Sequence, residues 1–503
     1  MKSFMAKTPG HANVAFDGVT VMGSQKILYT MAKSEFSFVV DLSDLGSDKH
    51  VTKAEIEDAM RVCENVMREY NAKIVSIPVD NAARHVADQV AKKLEEKYPG
   101  MKVIVTRDPA HCVDLLMKDL AKTAVMQRVT EYAKKVRDFV KIDRIDSIRR
   151  ETARASDLVF HSAVFVPVET RMNLLHDVVV TARKCRDFLV LLPGNAKFQK
   201  FLSERTSRKQ AELNELMDHF KNENVWKMFD IVIAFTLPFK EAHLACSRKD
   251  MPLGAYPLLV QALRNDINKC LTPEFDNLLG PGSRAEVAAM IRERFNMDGV
   301  DPSGQKVGLL DEHHLMCFLC DPKSRAWREV FHLQTNKAAL VRKMIEWYVP
   351  LGDDGSDEMR KSVLQDFESF DTQTNDWFHS FKDPLPQVPS LEQLQRNNKS
   401  FSIKDVVKYV EATGALSGRL TWFECYAGMS DFYRLVAKPL MSMGTVGSMD
   451  CERRAKPLKH TILTKERNRM KDPTCVALLR GYENLHHIMH AKKMLGKKLA
   501  DSL

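Results

Sequence analysis

The sequence predicts a mixed α/β fold, with an open sheet in the first third of the chain and helices over most of the remainder. Three observations carry this. Short β-rich apolar runs recur at 14–17, 26–31, 36–42, 74–79 and 103–106. Apolar residues at steps of three or four separate the later runs, which is helical periodicity. From about 149 to 348, and again from 422 to 499, helical spacing dominates.

The elements follow in order. Residues 14–17 form a short strand that ends at Gly18, so Asp17 closes it. The runs 26–31 and 36–42, separated by the polar stretch 32–35, read as a hairpin. Ile56, Met60, Cys63 and Met67 mark one face of a helix over 51–70. A strand at 74–79 ends at Asp80, and Ala83, Val86, Ala87, Val90 and Leu94 mark the next helix. A strand at 103–106 and a helix beginning at Pro109 complete the series. A meander followed by two βαβ crossovers implies a mixed sheet with helices on its faces. This is the order of a ribonuclease-H-like core, an order that other α/β domains share. In the helical stretch the best strand signals are 164–168 and 231–235; 351–357 and 382–390 are breaker-rich loops.

Composition narrows the class. A chain of 503 residues is long enough for more than one packing unit. With 28% charged and 44% hydrophobic residues it has an ordinary globular balance, and no apolar run approaches the length of a bilayer span. Residues 1–10 carry Lys2 and Lys7 without an apolar stretch, so no secretory leader is expected. Ten scattered cysteines suit reduced thiols in the cytosol or nucleus. A net charge of +9 is mild and is compatible with nucleic acid. The basic excess is clearest at Arg453, Arg454, Lys456, Lys459, Lys465, Arg467 and Arg469, which also suits a solvated helix face.

Three acids are candidates for chemistry. Asp17 and Asp80 end strands that lie side by side in a ribonuclease-H-like sheet, and Glu452 is the candidate third member. Magnesium takes oxygen ligands and accepts one or two carboxylates, with water and phosphate completing its shell. Two such ions about 4 Å apart activate the attacking oxygen and stabilise the leaving one in phosphodiester cleavage. Each acid has an ordinary reading beside this. Asp17 before glycine suits a turn, Asp80 before a helix suits an N-cap, and Glu452 suits an exposed helix. Asp108 before Pro109 likewise suits an N-cap with proline in the first helical position. Cys317 and Cys320, among apolar neighbours, read as a buried reduced pair; no second C-x-x-C follows to complete a zinc site.

A family resemblance runs from about 13 to 490. FDGVT–ILYTM–FVVDLS resembles the Asp-Gly strand and hairpin of the hAT-type DNA transposases, and VDNAARHVADQVAKKL resembles their second-acid block. RDPAHCVDLL resembles the Cys/Asp-x-x-His block, with Asp108 and His111 in its two positions, and VETRMNLL the block carrying Arg171. LLDEHHLMCFLCDP is similar to a later Asp-Pro block. The C-terminal stretch is similar to the hAT dimerisation region, with Ser448, Glu452 and Arg453 matching one block and Arg467, Asn468 and Arg469 another.

The resemblance implies a ribonuclease-H-like core over 13–190, a mainly helical insertion over 191–420, and a helical dimerisation region over 421–503 that completes the core. It implies catalytic and metal-binding roles for Asp17, Asp80 and Glu452 with Mg²⁺ or Mn²⁺. Auxiliary DNA contacts fall to Asp108, His111, Arg171, Arg453, Arg467 and Arg469. It also implies DNA and a second copy of the chain as partners, no membrane, no small-molecule substrate, and a nuclear location. No cysteine precedes Cys63, so the N-terminal zinc finger usual in the family is not expected in this chain. Val19 and Met172 stand where the family has tryptophan, and Met449, Asp450 and Cys451 replace a run of small residues. Two functions follow as expectations: a metal-dependent transposase, or a domesticated, non-catalytic, dimerising or DNA-associated module.

Overall fold

The computed structural model describes residues 10–21, 24–33, 36–44, 52–80, 82–155, 174–248, 251–295, 308–321, 337–349, 356–372, 401–413, 430–443, 451, 474–479 and 481. The fold is mixed α/β, with one five-stranded mixed sheet and many helices. β1 (Gly10–Val21), β2 (Ser24–Lys33) and β3 (Phe36–Asp44) form an antiparallel meander. α1 (Thr52–Tyr70) leads to β4 (Ala72–Val79), and α2 (Arg84–Lys97) leads to β5 (Ile104–Arg107). β4 runs parallel to β1 and β5 parallel to β4, giving the order β3-β2-β1-β4-β5.

The apolar periodicity explains these elements. Ile56, Ala59, Val62, Cys63, Val66 and Tyr70 of α1, and Val86, Ala87, Val90, Ala91 and Leu94 of α2, are buried at helical spacing. They share a core with Val14, Phe16, Ile27, Tyr29 and Met31 of the sheet. Residues alternate across a strand, so Ala15 and Leu28 belong to the other face. There they join Val39, Leu42, Cys451, Cys475, Val476 and Leu479. Each fully buried aliphatic side chain in such a core contributes about 1.5–3 kcal/mol.

Two expectations change. Asp17 lies inside β1 and does not end it. The ladder with β2 continues from Asn13↔Ala32 to Val21↔Ser24, and these backbone pairs override the turn preference of Asp-Gly. The expected strand at 231–235 is helical, inside the helix Glu223–Cys246. Phe229, Val232, Phe235 and Phe239 of that helix are buried at steps of three and four, so packing overrides the β preference of the Ile-Val-Ile run. The expected strand 164–168, residues 351–355 and the loop 382–390 lie outside the described residues.

The chain divides into two compact units, one of 1–112, 244–261 and 310–503, the other of 113–243 and 262–309. The second unit is helical and has an aromatic core. Phe139 meets Phe198 and Phe220, Trp226 meets Phe229, and Phe235 meets Phe275. Within it the buried Arg294 pairs with Asp119, and Arg128 Nη2 donates to the Leu279 carbonyl at 2.7 Å. In the first unit, α3 (Glu312–Cys320) starts with a capping box. Asp311 accepts from the His313 and His314 amides, and the Asp311 amide donates to His314 Nδ1. Cys317 and Cys320 of this helix are both buried and outside any disulfide. A π-helix at Phe432–Ala437 runs into the short helix Lys438–Met441, and Cys317 Sγ donates to the Leu440 carbonyl at 3.4 Å. Among the described residues no helix is long and apolar enough to cross a membrane.

Candidate functional site

Asp17 lies within β1, and Asp80 directly follows β4, the strand parallel to it. The β1–β4 ladder is interrupted by a bulge at Ala12/Asn13 and resumes at Asn13↔Ser76. Asp17 is four residues beyond Asn13, and Asp80 is four beyond Ser76. Side chains alternate in direction along a strand. Asp17 therefore falls on the face of Asn13, and Asp80 continues the face of Ser76.

A buried hydrogen-bond chain holds this register. Ser76 Oγ donates to Asn13 Oδ1 at 2.6 Å, and Asn13 Nδ2 donates to the Ser442 carbonyl at 3.0 Å. His11 Nδ1 lies 3.2 Å from Ser442 Oγ, whose own proton is directed to the Lys438 carbonyl at 2.7 Å. The imidazole therefore donates through Nδ1, and burial pushes its pKa down to about 4, with the charges of Lys438 and Lys73 adding to the effect.

Asp80 and Asp108 leave the sheet side by side. Val79 pairs with Arg107, and the Asp108 amide extends that ladder by donating to the Val79 carbonyl at 3.1 Å. Both acids also have local structural work. Asp80 Oδ1 accepts from the Ala83 amide at 2.9 Å, forming the turn that precedes α2, whose N-cap position is Ala83. Asp108 Oδ1 accepts from the Ala110 amide at 2.8 Å and the His111 amide at 3.2 Å. It thus caps the helix Pro109–Ala121, as the Asp-Pro pair predicts. Asp17, Asp80 and His111 are half-buried, and Asp108 is buried.

The C-terminal stretch returns to this sheet. Cys451 is buried with its Sγ 3.4 Å from Thr30 Oγ1 on β2. It shares a core with Leu28, the cross-strand partner of Asp17. Glu452 itself lies outside the described residues, as do Arg171, Arg453, Arg467 and Arg469. Among the described residues no group of three or more His, Cys, Asp or Glu side chains is placed to hold a metal ion. The two aspartates supply oxygen donors of the kind and number that magnesium accepts from protein.

Two basic residues at this edge escape the sequence reading. Arg107 ends β5 and is buried; Arg84 opens α2, four residues after Asp80. Neither stands in a charge run, and only the strand register pairs Arg107 with Val79, the residue before Asp80. The buried polar chain of His11, Asn13, Ser76 and Ser442 also escapes it, because residues more than 400 positions apart share no local pattern. No known family model matches this chain, and it matches no curated protein.

Proposed function

We propose that this chain is a hAT-type, transposase-derived protein with a ribonuclease-H-like core, built for metal-dependent cleavage and joining of DNA. The observation that carries the proposal is the placement of Asp17 and Asp80, each four residues beyond the paired Asn13 and Ser76. Asp17 lies within β1, and Asp80 directly follows the parallel strand β4, in a sheet ordered β3-β2-β1-β4-β5. In this reading Glu452 is the third acid. Its neighbour Cys451 packs against β2 beside Leu28, on the face to which Asp17 belongs.

The residues then have distinct tasks. Asp17, Asp80 and Glu452 would hold Mg²⁺ or Mn²⁺, which when bound supplies an activated oxygen nucleophile and stabilises the leaving oxygen. Asp108 fixes the start of the helix that carries His111, so His111 is presented to the nucleic acid from a rigid support. Arg171, Arg453, Arg467 and Arg469 would neutralise phosphates. Residues 421–503 would join two copies of the chain, and a DNA-acting protein of this kind belongs in the nucleus. The second reading is a DNA-associated or dimerising module without catalysis. Val19 and Met172, where the family has tryptophan, favour it.

The test is cleavage of supercoiled plasmid by the full chain with Mg²⁺ or Mn²⁺, alongside Asp17→Asn and Asp80→Asn. The expected result is nicking by the parent that falls at least a hundredfold in either variant, with calorimetry showing Mn²⁺ binding weakened by Asp80→Asn. Equal Mn²⁺ binding and equal nicking by all three proteins would overturn the site. DNA binding without nicking would favour the second reading.

A further inference from the structure

We infer that a helical hairpin of the first unit is a contact face for a second copy of this chain. The inference goes beyond the proposed function and does not depend on it. The hairpin is α4 (Lys337–Tyr348) and α5 (Ser356–Thr372). Arg360 Nε donates to the Val349 carbonyl at 2.7 Å, which sets the start of α5 beside the end of α4. α5 therefore runs back along α4. An open cleft of about 670 Å³ lies between the two helices. Val341, Ile345 and Phe367 line it and are anchored in the core beneath with Met344, Val363 and Phe370. Leu364 lines it too but is 40% exposed.

The knob and the hole thus belong to one face. A two-fold contact requires such a self-complementary face, because the same patch serves on both sides. With the axis along the cleft, α5 of each copy lies over α4 of the other. The four helices then form an up-down bundle in which every neighbour is antiparallel. Leu364 of each copy enters the cleft of the other over Val341 and Ile345, as a knob fills a hole between facing helices.

The charges on the rims favour the same partner. The cleft is lined by Arg342, Arg360 and Lys361 and by Glu346, Glu368 and Asp371, so its formal charge is zero. A phosphate backbone gains nothing from such a lining. The antiparallel run sets Glu346 of α4 level with Lys361 of α5, and Arg342 level with Glu368. Across the cleft of one copy these charges do not meet: Arg342, Glu346 and Lys361 have no ion pair or hydrogen bond among the described residues. In the two-fold arrangement Lys361 of each copy stands over Glu346 of the other, and Glu368 over Arg342. Every facing pair has opposite sign, which fixes the register of the contact. The face lies outside 421–503, so the two self-association sites stand or fall separately.

The experiment is sedimentation velocity of the full chain at micromolar concentration, beside Leu364→Glu and Gln365→Glu. Gln365 is exposed on the same helix and does not line the cleft. The parent should be a dimer or a larger even assembly. Leu364→Glu should fall to half the parent mass, and Gln365→Glu should match the parent. If residues 421–503 also pair copies, the parent is heavier than a dimer and Leu364→Glu is a dimer; otherwise Leu364→Glu is a monomer. Glu346→Lys and Lys361→Glu give a second reading that stands even if Leu364→Glu does not fold by circular dichroism. Each alone sets like charges face to face and should weaken association about tenfold. Mixed together they should restore it, because every contact between the two unlike copies again pairs opposite signs. A monomeric parent, a folded Leu364→Glu of parent mass, an equal loss in Gln365→Glu, or a mixture no heavier than its components would overturn the inference. Parent mass with a lowered thermal midpoint in Leu364→Glu would show Leu364 covered from within its own chain, which overturns it as well.

Discussion

Ser76 Oγ donates a 2.6 Å hydrogen bond to Asn13 Oδ1 across β4 and β1, and both side chains are buried. The bond sits where the ladder resumes after the bulge at Ala12/Asn13. It therefore fixes the phase of β1 against β4 at the point from which Asp17 and Asp80 each lie four residues on. A shift of one residue would turn Asp17 to the opposite face of the sheet.

Replacing Asn13 by alanine should destabilise the first unit by about 2–4 kcal/mol, because it strands the buried Ser76 hydroxyl and the Ser442 carbonyl together. Urea unfolding followed by circular dichroism measures this. Ser76→Ala should cost less, since Asn13 keeps its bond to Ser442. An Asn13→Ala midpoint equal to that of the parent would refute the register role.

His11 gives a pH dependence with a definite sign. Its folded pKa, about 4, is below the ordinary 6.5. Between these values the unfolded chain takes up a proton that the folded chain does not, so stability falls as pH drops through this window. The contribution is at most about 3 kcal/mol. Urea unfolding at pH 7.5 and pH 4.5 should show a smaller difference for His11→Asn than for the parent. His176 and His314, which burial also lowers, act in both proteins and cancel in the comparison. An identical difference in the two proteins would show that His11 is not held neutral.

Gly254 marks a close approach between the turn Leu253–Ala255 and the helix Glu312–Cys320. A Cβ there would meet the Cys317 carbonyl oxygen at 2.9 Å and Asp321 Cβ at 3.1 Å. The obstacle is backbone, so Gly254→Ala should cost about 1–3 kcal/mol. Gly194→Ala, with nothing within 4 Å of the added carbon, should be close to neutral. The two denaturation midpoints compared directly decide the matter; equal midpoints would mean that the contact relaxes freely.

The five strands and the two crossover helices are legible in the sequence because each depends on local pattern. Val14 and Phe16, or Val86, Val90 and Leu94, repeat at the period of their own element and are buried as that period requires. Asp108 is legible as a cap because the Asp-Pro pair carries its own geometry. The run 231–235 misleads for the same reason: its β-branched residues favour a strand locally, while the helix that contains it is selected by aromatic packing on Phe229, Phe235 and Phe239.

By itself, then, the sequence determined a mixed sheet with helical surroundings and named Asp17 and Asp80 as acids worth weighing. Only the tertiary structure decided that Asp17 lies within a strand, that it shares a face with Asn13, and that Cys451 packs beside Leu28. It alone paired Arg107 with Val79, the residue before Asp80. The reason is physical. Periodicity and capping act over a few residues and are written in composition, whereas register and the return of a distant segment are set by cross-strand hydrogen bonds and burial between residues that share no local signal.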